Sequence, residues 1–275
     1  MALYIASLNS GSNGNCYYVG NENEAILIDL GISCREAEIR MKKIGLQMKK
    51  VKAIFVSHEH NDHIKGVSTL AHKYSLPVYI TPETAKTGSR LIKHLVRPFV
   101  ANQHIEIGDL QIIAFTKHHD AIDPHSFIIR YKEITVGVIT DIGIVCEQVV
   151  QYFKQCNAVF LESNYDEMML KNGKYPQILK DRITGGKGHI SNKQALELFI
   201  NHRSPNLSHL LLAHLSKENN TPELVQQLFI PHAGNTTISV ASRYEASEVF
   251  KIELPTLSKN TLQHFNQKTK QFSIF

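Results

Sequence analysis

Val51-Lys-Ala-Ile-Phe-Val-Ser-His58-Glu-His60-Asn-Asp62-His63 carries an apolar run straight into four candidate metal ligands. Residues 51–56 are rich in β-branched and aromatic side chains, which predicts a strand buried on both faces. His58 and His60 are two apart, so in an extended segment both imidazoles point the same way and can grip one ion. Asp62 and His63 stand at the start of a helix expected over 64–74 and point elsewhere, which suggests a second ion. A solvated polar loop is the plainer alternative. Three histidines and an aspartate clustered at the end of a buried strand nevertheless call for a metal or catalytic reason.

Outward from this stretch, other strands end in the same chemistry. Short strands are expected at 3–7, 16–19 and 24–29, the last ending in Asp29 and followed by Gly31; a charge at such a place has a partner. The loop Asn9-Ser-Gly-Ser-Asn-Gly-Asn15 reads either as a plain hairpin turn or as a cradle of backbone N–H groups. Ser33 and Glu36 predict a capping box for a helix to about residue 44. A strand at 77–80 leads to a helix capped by Thr81 with Pro82 in its first turn. Along that helix Lys86, Arg90, Lys93 and Arg97 would share one face, either to track a phosphate backbone or simply as a solvated face. Later strands at 110–116, 134–140, 158–161 and 207–213 run into His118-His119, Asp141, Glu162 and His214. His118 and His119 must point opposite ways on a strand, so only one of them can be a ligand. Gly185-Gly-Lys-Gly188-His189 leads into a helix with a Ser191–Gln194 capping box.

The bulk numbers set wide bounds. The 275 residues, 43% hydrophobic and 20% charged, suit an ordinary globular protein of one large or two small domains. A net charge of +5 permits an anionic partner without demanding one. The four cysteines form no C-x-x-C pair, which argues against a zinc ribbon or a thioredoxin-like motif. The N-terminus lacks the basic and apolar regions of a signal peptide. No run approaches the ~18 apolar residues of a membrane span. A cytoplasmic protein with reduced thiols and no membrane association is expected, with room for a homo-oligomer. Residues 1–250 are expected to form the domain and 251–275 a basic C-terminal tail, with Lys251, Lys259, Lys268 and Lys270 against Glu253.

His58-Glu-His60-Asn-Asp62-His63 resembles the His-x-His-x-Asp-His signature of the metallo-β-lactamase superfamily. The resemblance runs in order from Asp29 to His214 and implies an α/β fold, the αββα sandwich, in a single domain. It implies two divalent ions (Zn, Mn or Fe). His58, His60 and His119 would hold the first, Asp62, His63 and His214 the second, and Asp141 would bridge them, with Asp29 supporting the ligand loop from behind. His119 is thereby preferred over His118.

The spacing selects a branch. His119 and Asp141 lie 22 residues apart, too close for the long arm of ribonuclease Z, and Asp141 and His189 lie 48 apart, too close for the extra domain of the β-CASP nucleases. Gly188-His189-Ile-Ser-Asn192 resembles the catalytic histidine loop of phosphodiesterases of this fold. Ser10-Gly-Ser-Asn-Gly-Asn-Cys16, His119-Asp-Ala and His214-Leu-Ser-Lys-Glu-Asn-Asn220 are similar to the YycJ-like (WalJ) branch, described as metal-dependent 5′-to-3′ DNA exonucleases linked to mismatch repair. One departure is Tyr165, where many relatives have histidine.

What the resemblance implies is phosphodiester hydrolysis by a hydroxide shared between two ions. His189 would serve as general acid or phosphate clamp, Asp62 and Asp29 would belong to the catalytic set, and Glu162 would orient His189. Lys86, Arg90, Lys93 and Arg97 would contact distant phosphates of a nucleic acid, DNA in the first instance. The alternatives are a hydrolase of small cyclic phosphodiesters or thioesters, which would not need the basic stripe, and a non-catalytic metal-stabilised adaptor. Retention of all seven ligands argues against the adaptor.

Overall fold

The computed structural model describes residues 1–87 and 93–254. The chain opens as an antiparallel meander, β1 (Leu3–Asn9), β2 (Cys16–Gly20) and β3 (Ala25–Ile28). Helix α1 (Cys34–Lys43) crosses to β4 (Val51–Phe55), parallel to β3. The chain continues through α2 (Asn61–Ile64), α3 (Val67–Tyr74), β5 (Val78–Ile80), α4 (Pro82–Lys86) and β6 (Val96–Pro98). A second meander follows: β7 (His104–Ile107), β8 (Leu110–Thr116), β9 (His125–Tyr131) and β10 (Ile134–Ile139). It passes through α5 (Glu147–Phe153), β11 (Ala158–Glu162), α6 (Glu167–Asn172), α7 (Gln177–Thr184) and α8 (Asn192–His202). The last described elements are β12 (His209–Ala213), α9 (Pro222–Phe229), β13 (Thr237–Val240) and β14 (Phe250–Ile252).

Among the described residues these strands make two seven-stranded sheets, ordered β14-β1-β2-β3-β4-β5-β6 and β13-β12-β11-β10-β9-β8-β7. The side-chain period of a strand explains how four layers arise from them. In β4, Ala53 and Phe55 face the space between the sheets, where they join Phe127, Phe160 and Leu211. Ile54 faces the other way and, with Val56, packs under α1 and α3 against Ala37, Met41 and Leu70. In β11, Phe160 likewise points between the sheets while Val159 and Leu161 meet Phe153, Phe199 and Phe229 of α5, α8 and α9. Strands with helices on one side and a sheet on the other have no wet face, which is why they read as unbroken apolar runs. The architecture is the αββα sandwich expected from the sequence.

The site needs one rim. β10, β11 and β12 are parallel, and two antiparallel steps bring β8 into the same direction. The segments after β8, β10 and β12 therefore emerge together, and the loops after β3 and β4 meet them across the sandwich.

Several local expectations meet the structure. Ser191 and Gln194 form the complete capping box, and Thr81 accepts the N3 amide of its helix. Ser33 caps α1 through the Glu36 amide, but Glu36 turns its carboxylate to Arg40 at 2.6 Å instead of closing a box.

Three expectations are corrected. The helix placed over 64–74 begins earlier, at Asn61, and breaks at Lys65 and Gly66 because Gly66 packs onto the backbone of residues 30–32: its amide donates to Leu30 O, and a Cβ there would lie 2.1 Å from Ile32 O. The basic stripe does not share a helical face. α4 ends at Lys86, Lys93 lies in a 3₁₀ turn and Arg97 in β6, paired with Tyr79, while Arg90 lies outside the described residues. The edge of β5 recruits this segment as a strand, an override of the 3–4 spacing by tertiary pairing. The first sheet also extends past residue 250, since Lys251 and Ile252 pair with β1 through β14; from 255 onward the tail lies outside the described residues.

Candidate metal centre and cleft

His58, His60, Asp62 and His63 occupy the loop after β4 and the first turn of α2. Their geometry is set from behind by residues 29–31 and by the glycine-rich loop after β1. Leu30 N donates to His63 O at 2.7 Å, and Asn15 N donates to Asp62 O at 2.7 Å. The Asn15 amide also reaches Asp62 Oδ2, at 3.2 Å. The loop thus holds the ligand turn, a role the sequence reading did not foresee.

Gly31 makes that approach feasible, because a Cβ on it would sit 1.7 Å from Asp62 O. Gly31→Ala is expected to cost about 1–3 kcal/mol by overpacking and to weaken metal retention by displacing Asp62. Denaturant unfolding and metal content of the purified variant check both effects; wild-type values for both would mean that the ligand turn shifts freely.

Four imidazoles are held by Nδ1 and turn Nε2 toward a common centre. His58 Nδ1 meets Ser57 Oγ at 2.8 Å, and His63 Nδ1 meets Asp29 Oδ2 at 2.7 Å. His119 Nδ1 meets Gly188 O at 3.0 Å, and His214 Nδ1 meets Glu162 Oε1 at 3.1 Å. A hydrogen bond at one ring nitrogen presents the other for ligation. Asp29 also accepts the Ser57 amide and hydroxyl, so one buried carboxylate orders the head of the ligand loop. His118 is exposed and does not line the cleft around these ligands.

Potential ligand atoms of His58, His60 and His119 lie within 4.8 Å of one another, as do those of Asp62, His63 and His214. Asp141 stands between the groups, 3.4 Å from His63 Nε2, 3.3 Å from His214 Nε2 and 4.0 Å from His119 Nε2. The donor set fits metal ions by a direct criterion: His119 Nε2, His214 Nε2 and Asp141 Oδ2 are buried with no hydrogen-bond partner, and buried polar atoms are rarely left so.

The electrostatics agree. Burial would raise the Asp141 carboxyl, but His214, His63 and Lys117 hold it well below the usual range. Burial would lower His63 and His214, yet Asp141 and its neighbouring carboxylates hold both up, His214 at about 10. Protons on these rings occupy the place where the site calls for positive charge. His58, farther from the carboxylates, is pushed well below its ordinary value by burial, and His119 to about 4.

Asp29, Asp141 and His214 all have left-handed backbones, with φ of 60°, 54° and 56°. Non-glycine residues adopt this region at a cost of order 1–3 kcal/mol each, and such strain gathers at functional sites. It turns each side chain out of its strand direction toward the rim.

Glu162, at the end of β11, is the hub of the far wall. One oxygen accepts from Ile142 N at 2.9 Å and Ile190 N at 3.3 Å; the other meets His189 Nδ1 at 2.7 Å as well as His214. Burial opposes its charge, but His189 and His214 hold its carboxyl down at about 2. His189 is left with Nε2 for the cleft, which it lines together with His60, Asp62, His119, Asp141 and His214. Asn164 and Ser10, to which the sequence reading gave no role at this ligand, position His214: Asn164 Nδ2 donates to its carbonyl at 2.7 Å, and Ser10 Oγ accepts its amide at 2.8 Å. Tyr165 is buried beside a separate cavity behind α7 and does not line this cleft.

A family model described as the metallo-beta-lactamase superfamily matches residues 10–189. Exodeoxyribonuclease YycJ of Bacillus anthracis is 36% identical over 230 residues, covering 82% of this chain and 87% of that protein. Exodeoxyribonuclease WalJ of Streptococcus pneumoniae is 30% identical over 240 residues, 85% of this chain and 89% of its own. Among solved structures, the metallo-beta-lactamase fold protein YhfI from Bacillus subtilis superposes with a TM-score of 0.70 over 91% of this chain and 100% of its own. At 15% identity that likeness is one of fold.

Proposed function

The chain belongs to the metallo-beta-lactamase superfamily, and we propose that it is a metal-dependent phosphodiesterase that removes nucleotides from the 5′ end of DNA in the service of repair. The observation that carries the chemistry is the pairing of His189 with Glu162 beside the ligand cluster, with the His189 ring 5.1 Å from that of His214 and 5.3 Å from that of His119. A hydrolase of thioesters has no need of a second, carboxylate-oriented histidine aimed into the cleft. The choice of DNA rests on the likeness to the two exodeoxyribonucleases.

In this reading His58, His60 and His119 would hold one divalent ion and Asp62, His63 and His214 a second, with Asp141, between the two groups of side chains, available to both. Nitrogen and carboxylate donors of this kind accept Zn, Mn or Fe. Such ions would supply positive charge against the phosphate and a water of lowered pKa. The protein's own part is positional. Asp29 and Ser57 keep His58 and His63 in the ligating tautomer, and Glu162 holds the Nδ1 proton of His189. That leaves His189 Nε2 to give its proton to the oxygen that departs when the P–O bond breaks. Among the described residues no helix is long and apolar enough to cross a membrane. All four cysteines are free thiols, as a reducing, cytoplasmic setting would keep them.

The test is degradation of end-labelled single- and double-stranded DNA by protein reconstituted with Mn or Zn, beside the same protein in chelator. Progressive shortening from one end that stops in chelator is the expected result. Intact DNA alongside cleavage of a cyclic phosphodiester or a thioester would overturn the choice of substrate and leave the metal centre standing.

A further inference from the structure

The cleft has a wall that the metal centre does not explain. Helix α7 buries no side chain, so it adds little to the core, yet it closes one side of a cavity of about 310 Å³ over the ligand cluster. Leu179, Arg182 and Ile183 line that cavity; their spacing of three and four puts them on one helical face, with Tyr175 just before the helix. The opposite face, with Gln177, Lys180, Asp181 and Thr184, lines a different cavity.

Arg182 is the one lysine or arginine among the described residues that line the metal cleft. Its guanidinium is gripped through Nε and Nη2 by Asp120 Oδ2, and the other oxygen of Asp120 lies 3.4 Å from His119 Nε2. A guanidinium has five N–H donors in a rigid fork, so Nη1 is left for an anion in the cleft. The helix is also fixed in distance from His189. His189 N donates to Ile183 O at 3.0 Å, and a Cβ on Gly188 would lie 2.4 Å from Arg182 O. Arg182 and His189 therefore belong to one backbone unit.

We propose that Arg182 is a substrate-binding residue that takes the terminal phosphate of the strand, with the first nucleotide lying between it and the metal ligands. The reading rests on the nucleic-acid hydrolysis proposed above and adds the reason the cleft accepts an end. A cavity of this volume is at the small end of ligand pockets, roughly 300–1,000 Å³, and is of a size to hold about one nucleotide against the ligand cluster. Tyr175, Leu179 and Ile183 give the base an aromatic and apolar surface, a sequence-tolerant way to hold it. Asp120 acts as a positioning residue for Arg182. The cations on the neighbouring surface, Lys171, Lys174 and Lys187, are exposed and outside the cleft.

The experiment compares single strands bearing a 5′-phosphate or a 5′-hydroxyl, with wild-type protein, Arg182→Ala and Arg182→Lys, reading KM and kcat separately. Binding of the same fluorescent strands in chelator is read by anisotropy. Wild-type protein should favour the 5′-phosphate. Arg182→Ala should raise KM for that strand by about 10- to 100-fold, the worth of a hydrogen bond to a charged group, and bring the ratio between the two strands close to one. Arg182→Lys, which keeps the charge and loses the fork, should fall between. Binding in chelator should weaken in the same order, which separates a lost contact from a damaged metal centre. DNA hydrolysis with no preference in the wild type, or a preference that survives Arg182→Ala, overturns the assignment of Arg182 and leaves the nuclease standing. A wild-type protein that cleaves bis(p-nitrophenyl) phosphate but no DNA overturns the nucleic-acid reading and this one with it.

Discussion

Asp141→Asn is expected to lower DNA hydrolysis by between about 10² and 10⁴-fold and to leave the purified protein short of metal. Asparagine keeps the shape of the side chain and removes its charge. The native carboxylate is 2% exposed and faces His63, His119 and His214 at once. Removing one member of a buried charge set costs about 3–5 kcal/mol of stability, because the partners keep their desolvation penalty; a loss of about 3–5 kcal/mol in transition-state stabilisation would give the rate loss stated above. Elemental analysis of metal per chain, beside the end-labelled DNA assay, checks it. A full metal complement with a rate within about tenfold of wild type would show that Asp141 is not shared between the ligand groups.

The second large effect is expected at His189. His189→Ala should slow DNA hydrolysis by about 10²- to 10⁴-fold, the usual worth of a positioned general acid, with metal content unchanged. The loss depends on the leaving group. A p-nitrophenolate departs without needing a proton, so the same substitution should cost much less with bis(p-nitrophenyl) phosphate. Equal losses on both substrates would mean that His189 clamps the phosphate and gives up no proton. Glu162→Gln should reproduce the pattern and add some loss of metal, because that carboxylate supports His214 as well as His189.

The contrast between the basic stripe and Arg182 shows where local pattern ends. Lys86, Arg90, Lys93 and Arg97 have the spacing of a helical face, but strand pairing with β5 takes Arg97 out of it, where its guanidinium bonds to His94 O and Val96 O. Arg182 sits in an unremarkable polar stretch. It becomes a cleft residue only because α7 is packed against the Gly188–His189 backbone.

From its residues alone the chain determined buried strands and the strand-end positions of His58, His60, His119, Asp141 and His214; the four-layer fold was implied by the resemblance that those ligands carry. Burial on both faces makes a strand an unbroken apolar run, and a ligand must stand where that run stops. It also determined the helix starts at Ser33, Thr81 and Ser191, since a cap is a contact between residues three apart. Tertiary structure alone decided what stands behind each ligand. Asn15 reaches Asp62 across 47 residues, Gly188 reaches His119 across 69, and Ser10 reaches His214 across 204. It also decided the left-handed turns at Asp29, Asp141 and His214, which local preference disfavours and which persist because the surrounding contacts over-determine them. Partners so distant in the chain leave no period in a sequence; they exist only once each sheet is assembled and, for Ser10 and His214, once the two sheets are packed face to face.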